Sequence, residues 1–423
     1  LRDLESGKKY TLLAQIMDNG RKITEFKSAT ITDSDLKICL DRMSGLFSFT
    51  CQWKPEKLWD TNTPQNKYDL QIALLDDKGK PLDISTPVRF GFREFWIDGR
   101  DFYLNGTRIF CFVVPLDNPV LGAAWANYEG AMESLKRLKT FGVNLVYTHN
   151  YGCEPGTHLS FDETLRAADD VGMLVSFSQP HFGQYEWAAP DADKSNGYAK
   201  HAEFYVRVVQ NHPSVVMYSM SHNSLGYGED QNPDFIDGIH GPTEPWAENN
   251  RKLAGRAEAI VRQFDSSRII YHHSSGNFGS MHTLNCYLDF VPIQERSDWF
   301  GHWSTNGVKP LFLCEYGDPW GINWTTYRGW YNNERAFGSA RVPWEFCMAE
   351  WNSQFLGDKC YQLSEKEKAN LRFESKQWRE GKTWFRWDYP SDPVSFRSQD
   401  RETVWAMHIV DNWKAFRTWE ISA

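Results

Sequence analysis

The stretch Lys309-Pro310-Leu311-Phe312-Leu313-Cys314-Glu315-Tyr316-Gly317 sets out the organisation of this chain in miniature. An apolar run the length of a buried strand ends on a carboxylate, and an aromatic residue and a glycine follow. Continuous apolar runs belong to strands covered on both faces, as in parallel sheets. Moving towards the N-terminus, the same pattern recurs. Arg108–Pro115, Val143–Thr148, Met173–Ser178, Val215–Met220, Arg268–His272 and Phe290–Gln294 read as six further strands. Between them, amphipathic helices are expected over Tyr128–Thr140, Phe161–Asp170, Tyr198–Gln210 and Asn250–Phe264. Moving towards the C-terminus, Trp344–Leu356 reads as a helix and Val404–Val410 as an eighth strand. Eight alternations of strand and helix predict a closed parallel (β/α)8 barrel rather than an open sheet.

The first ninety residues have a different rhythm. Tyr10–Ile16, Phe47–Trp53 and Tyr68–Leu75 alternate with period two, and Asp18-Asn19-Gly20 and Asp76–Pro81 supply turn chemistry between them. An immunoglobulin-like β-sandwich over residues 1–92, missing some of its strands, followed by a barrel over 93–423, is the expected division. The chain opens on Leu1-Arg2-Asp3 and stops on Glu420-Ile421-Ser422-Ala423, so both ends read as cuts from a longer protein.

Composition narrows the function. The net charge of −9 and pI near 5.8 argue against nucleic acid, whose phosphates need a clustered basic surface. No apolar run reaches the length of a membrane span. The eight Cys are scattered without CxxC or a Cys/His cluster, and no HExxH pairs two histidines with a carboxylate. Neither a metal nor a nucleotide cofactor is expected, since no glycine-rich phosphate loop opens a helix either. Nineteen Trp and eighteen Tyr exceed ordinary core needs, and many stand beside polar residues, as in Trp299-Phe300-Gly301-His302-Trp303. Flat rings beside hydroxyl-binding groups suit sugars, although for any single Trp a place in the core is the plainer reading.

In a parallel barrel the active site lies at the C-terminal ends of the strands. Here those ends read His149-Asn150, Gln179-Pro180-His181, His222-Asn223, His272-His273, Gln294-Glu295-Arg296 and Glu315-Tyr316. One polar ending is easily structural; six on one rim describe a cleft.

Three landmarks carry a family resemblance. Gly91-Phe92-Arg93 followed by Leu104-Asn105-Gly106, the strand Pro213–Met220, and the strand Lys309–Gly317 resemble, in order and spacing, the corresponding segments of family 2-type glycoside hydrolases. That resemblance implies a carbohydrate substrate and makes Glu315 the nucleophile. It also implies, by analogy, an exported protein acting on saccharides outside the cell. At the end of the fourth strand the family pattern is Asn-Glu, the glutamate being the acid and base, whereas this chain has His222-Asn223. An amide cannot donate a proton and recover it. The acid is therefore expected from another carboxylate: Glu295, Asp230 or its neighbour Glu229. An inverting geometry with Glu315 as base and a sugar-binding protein without catalysis are the alternatives. His149, Asn150, His181, His222, Asn223 and His272 are the expected hydroxyl-binding groups. Trp299, Trp303, Trp320 and Trp324 are the expected stacking platforms.

Overall fold

The computed structural model describes residues 1–38, 45–117, 127–149, 161–225, 233–241, 245–285, 297–316, 362, 364–380, 382, 388–391 and 398–423. They fall into two compact units. One comprises Leu1–Trp96, Tyr103–Met220 and Gly255–Ile269; the other comprises Ile97–Phe102, Ser221–Ala254 and Ile270–Ala423.

In the first unit, the N-terminal strands form one antiparallel sheet in the order Arg21–Lys27, Thr11–Asp18, Tyr68–Leu75, Pro81–Ile84, with Val88–Phe90 also paired to Tyr68–Leu75. Period-two patterning explains it: Leu12, Ala14 and Ile16 are buried while their neighbours are partly exposed. Phe47–Trp53, expected as a strand, is not one. Phe47 and Phe49 pack on the Tyr10, Leu12 and Ile31 cluster, and Trp53 sets its ring edge-on to Tyr68 and Phe92. Its aromatic residues satisfy burial without a ladder. Lys37–Ile38 and Gly45–Leu46 pair antiparallel as a separate two-stranded sheet.

Four parallel strands follow in sequence order: Val113–Asp117, Leu145–His149, Leu174–Ser178 and Val215–Met220. The third and fourth are buried along their whole length, including Ser176, Ser178 and Ser219, as strands covered on both faces are. The first begins later than expected, because Thr107–Ile109 is spent on a hairpin strand. The helices Tyr128–Thr140, Phe161–Val171, Tyr198–Val209 and Glu248–Phe264 match expectation closely.

The landmark residues tie this unit together. The Arg93 guanidinium donates to the Val215 carbonyl at 2.6 Å, and burial, helped by the nearby Arg268, pulls its pKa down to about 10. Asn105 (φ 50°) and Gly106 (φ 86°) form the left-handed turn; the Asn105 amide donates to the Trp59 carbonyl and accepts from the Glu94 N–H. Trp59, fully buried, donates its indole N–H to Asp169. Gly172 (φ 77°) ends its helix where any Cβ would strike the Thr61 carbonyl.

In the second unit, Gly276–Phe278 pairs antiparallel with Met281–Asn285, which runs parallel to Leu311–Glu315 with His282 opposite Leu311 and Asn285 opposite Glu315. The strand beside the seventh is therefore Met281–Asn285. Residues 290–294, expected there, and 344–356 lie outside the described residues. Val404–Val410 is not the eighth strand: it sits within the helix Ser398–Thr418. A short apolar run fits either element, and helical continuation settles it here. Beside Leu311–Leu313 lies Ala423 instead, whose N–H and C=O bond to Leu311 and Leu313 in the alternating pattern of parallel strands. No helix among the described residues is long and apolar enough to cross a membrane.

Candidate active site

In the second unit, residues from three other strand ends converge on Glu315, which ends Leu311–Glu315. His222 and Asn223 follow Val215–Met220 after Ser221, His273 follows Ile269–His272, and Asn285 ends Met281–Asn285. The hydrogen bonds run through Asn223. Its Nδ2 donates to Glu315 Oε1 at 3.3 Å, and its Oδ1 accepts from Asn285 Nδ2 at 3.2 Å and meets His273 Nδ1 at 2.9 Å. His273 turns its other nitrogen, Nε2, to within 3.7 Å of Glu315 Oε1. The His222 ring lies 4.4 Å from the His273 ring, tilted by 31°.

The backbone that presents these groups is strained. Ser221 (φ 44°), Asn223 (φ 49°) and Ser274 (φ 48°) are all left-handed. Each such residue costs about 1–2 kcal/mol, less for Asn, which tolerates the conformation. Strain of this kind, concentrated beside His222 and His273, persists only where surrounding packing imposes it. His272 supplies part of that packing. Fully buried, it shares a 2.9 Å hydrogen bond with Ser221 and meets Phe278 edge-on.

Several expected ligands for sugar have other roles. His272 is this buried support and has no surface to offer a hydroxyl. His181 caps the turn Phe182–Gln184, its Nδ1 accepting from the Gly183 N–H at 3.0 Å. Trp299 and Trp303 are 2 % and 0 % exposed and belong to the core around Phe300, leaving neither ring a face for a sugar. Tyr316 packs edge-on against Phe416, and burial raises its pKa, while Asn223 donates to Glu315 and His273 lies 3.7 Å from it. His149 is the last residue of its strand, opposite Asp117. Asn150, Glu229, Asp230, Glu295, Trp320 and Trp324 lie outside the described residues. Asn285 ends the strand that pairs with Leu311–Glu315 and lies opposite Glu315.

His273 and Asn285 are the additions that sequence reasoning missed. His273 was visible at a strand end, but His272 beside it drew the assignment. Asn285 was hidden because Met281-His-Thr-Leu-Asn is less apolar than Phe290–Gln294, the run read as the strand beside the seventh.

A second ionisable group lies in the same unit. His282 is fully buried with neither ring nitrogen hydrogen-bonded among the described residues, and desolvation pushes its pKa down to about 4. Nearby, burial of Asp237 opposes its ionisation, but the His240 and Ile239 amides and the His302 and His240 rings outweigh it and bring its pKa to about 2.

Parallel strands whose polar ends gather round a carboxylate define the class: a (β/α)-barrel protein with its candidate site at the C-terminal rim of the strands. Residues 93–348, more than half the chain, match the model for "Glycosyl hydrolases family 2, TIM barrel domain", and the chain belongs to that family. Among curated relatives, a β-galactosidase of Photobacterium profundum is 22% identical over 66% of this chain and 25% of its own length. A β-glucuronidase of Paenibacillus borealis is 22% identical over 63% of this chain and 43% of its own. The chain thus spans a quarter to less than half the length of these relatives. Among solved structures, a Bacteroides uniformis β-glucuronidase shares the fold with a TM-score of 0.53, at 19% identity over 73% of this chain and 36% of that one.

Proposed function

We propose that this chain carries the catalytic barrel of a glycosidase acting on β-glycosides, with Glu315 as its nucleophile. Residues 1–92 would be the β-sandwich and 93–423 the barrel. The observation that supports it most is the Asn223–Glu315 hydrogen bond. It joins the position where the family keeps its acid to the position where it keeps its nucleophile. In this reading the Glu315 carboxylate attacks the anomeric carbon, the bond to the leaving oxygen breaks, and water then splits the glycosyl ester and restores the carboxylate. Asn223 steers Glu315 through its N–H, and His273 and Asn285 fix the direction of that amide. The proton for the leaving oxygen comes from a carboxylate other than residue 223, for which Glu295 and Asp230 are the candidates.

The rival is a sugar-binding protein that has lost its chemistry, and the same amide at position 223 favours it. Aryl glycosides with good leaving groups separate the two, because they need little acid assistance. Wild type should release the aryl group, and Glu315→Gln should lower the rate by about a thousandfold or more. Sugar binding without release, across galactosides, glucosides and glucuronides, would establish the binder.

A further inference from the structure

We propose that His222, His273 and Glu315 form a site for one divalent transition-metal ion of the zinc type. The three residues stand far apart in sequence, yet a donor atom from each lies within 4.8 Å of the other two. Zinc bonds of about 2.0–2.2 Å in a tetrahedral arrangement set donor atoms about 3.3 Å apart. The edge from His273 Nε2 to Glu315 Oε1, at 3.7 Å, is nearly that already. The remaining edges close by small rotations of side chains at the rim, where His222 and Glu315 are only half-buried.

The orientation of His273 carries the argument further. The Asn223 amide is held at both ends: its Nδ2 faces the carboxylate, and its Oδ1 receives the Asn285 N–H. Its oxygen therefore faces His273 Nδ1, which must carry the proton to make that 2.9 Å bond. In the neutral ring this leaves Nε2 as the atom that can ligate, 3.7 Å from the Glu315 oxygen. A ring nitrogen donating to an oxygen while the other faces a metal is how metal-ligating histidines are ordinarily oriented. Two imidazoles with one carboxylate suit zinc, cobalt, nickel or ferrous ions rather than magnesium or calcium, which prefer oxygen donors. Three protein ligands leave a fourth position for water or a ligand oxygen.

Binding of the ion does not depend on the glycosidase reading. One consequence does: the metal and the anomeric carbon would compete for the same Glu315 oxygen, so zinc should inhibit aryl-glycoside hydrolysis.

The test is a titration of chelator-treated protein with Co2+, followed by visible absorption and calorimetry. One equivalent should bind with the intense bands of a four-coordinate ion, and Zn2+ should displace it. Glu315→Gln keeps the shape of the side chain, and His222→Asn installs the residue that the family pattern has there. Each should weaken binding at least tenfold, with folding verified by thermal unfolding. Asn223→Ala, which frees His273 to turn, should weaken it about 10–100-fold. The proposal is overturned by absence of the bands. It is equally overturned if binding survives in both Glu315→Gln and His222→Asn, which would locate the ion elsewhere. Loss of aryl-glycoside activity would not overturn it, and retained activity would not rescue it.

Discussion

Replacing Asn223 by Glu is the most informative change in this molecule, since it installs a carboxyl where the family keeps its acid. Asn223 Nδ2 lies 3.3 Å from Glu315 Oε1, so the longer side chain must swing outward to avoid setting two oxygens in contact. Retaining glycosidases hold their carboxyls about 5–5.5 Å apart. At about 5 Å and an effective dielectric of about 20, two charges repel by about 3 kcal/mol. That repulsion favours keeping a proton on the new side chain, which is what a general acid requires. The substitution also removes the hydrogen bonds to His273 and Asn285, costing about 1 kcal/mol each in stability. General acid catalysis is worth about 10²–10⁴ in rate, or about 3–5 kcal/mol, and only where the leaving group needs a proton. The assay is kcat/KM across glycosides of decreasing leaving-group acidity, from nitrophenyl to alkyl. With the proton supplied by Glu295 or Asp230, as proposed, wild type should fall only gently along the series, and Asn223→Glu should change alkyl rates little. A steep wild-type slope that Asn223→Glu flattens, raising alkyl glycosides by about a hundredfold or more and nitrophenyl glycosides little, would refute the reasoning, because residue 223 would then be the one missing acid. With a shallow slope, Glu295→Gln and Asp230→Asn are the variants to measure next, and the one that steepens it identifies the acid.

Gly172→Ala should destabilise the protein by about 2–5 kcal/mol, from left-handed strain plus overlap with the Thr61 carbonyl; a urea midpoint unchanged from wild type would contradict the close approach. His282 has a folded pKa near 4, below its ordinary 6.5, so its neutral form stabilises the fold above about pH 6.5 and that contribution is lost as pH falls towards 4. His282→Leu should therefore lose less stability between those limits, by up to about 3 kcal/mol, and parallel pH profiles of the two proteins' urea midpoints would rule this out. Arg93→Lys keeps the charge but not the reach of the guanidinium to the Val215 carbonyl, and should lower the urea midpoint by an amount corresponding to about 1–3 kcal/mol.

Local patterning determined a large part of this protein from its sequence alone. Strands buried on both faces are mostly apolar, so Val215–Met220 and Leu311–Glu315 announced themselves, and the helices between them showed their amphipathic stripe. The carboxylate at the end of the seventh strand was legible for the same reason: the chain changes chemistry abruptly where it leaves the core. Tertiary structure decided what such patterns leave ambiguous. Val404–Val410 is apolar enough for a strand, and its place within a 21-residue helix depends on residues well beyond it. Met281–Asn285 is polar enough to be passed over, and only its pairing with Leu311–Glu315 makes it a strand of the sheet. The site follows the same division. Glu315, His222 and Asn223 could be named from strand ends, but which groups face them could not. The link from Asn223 to His273, Asn285 and Glu315 joins residues 50, 62 and 92 positions away. Hydrogen bonds and metal donors act over about 3 Å in space, and no spacing along the chain records which distant strand ends the sheet will bring side by side.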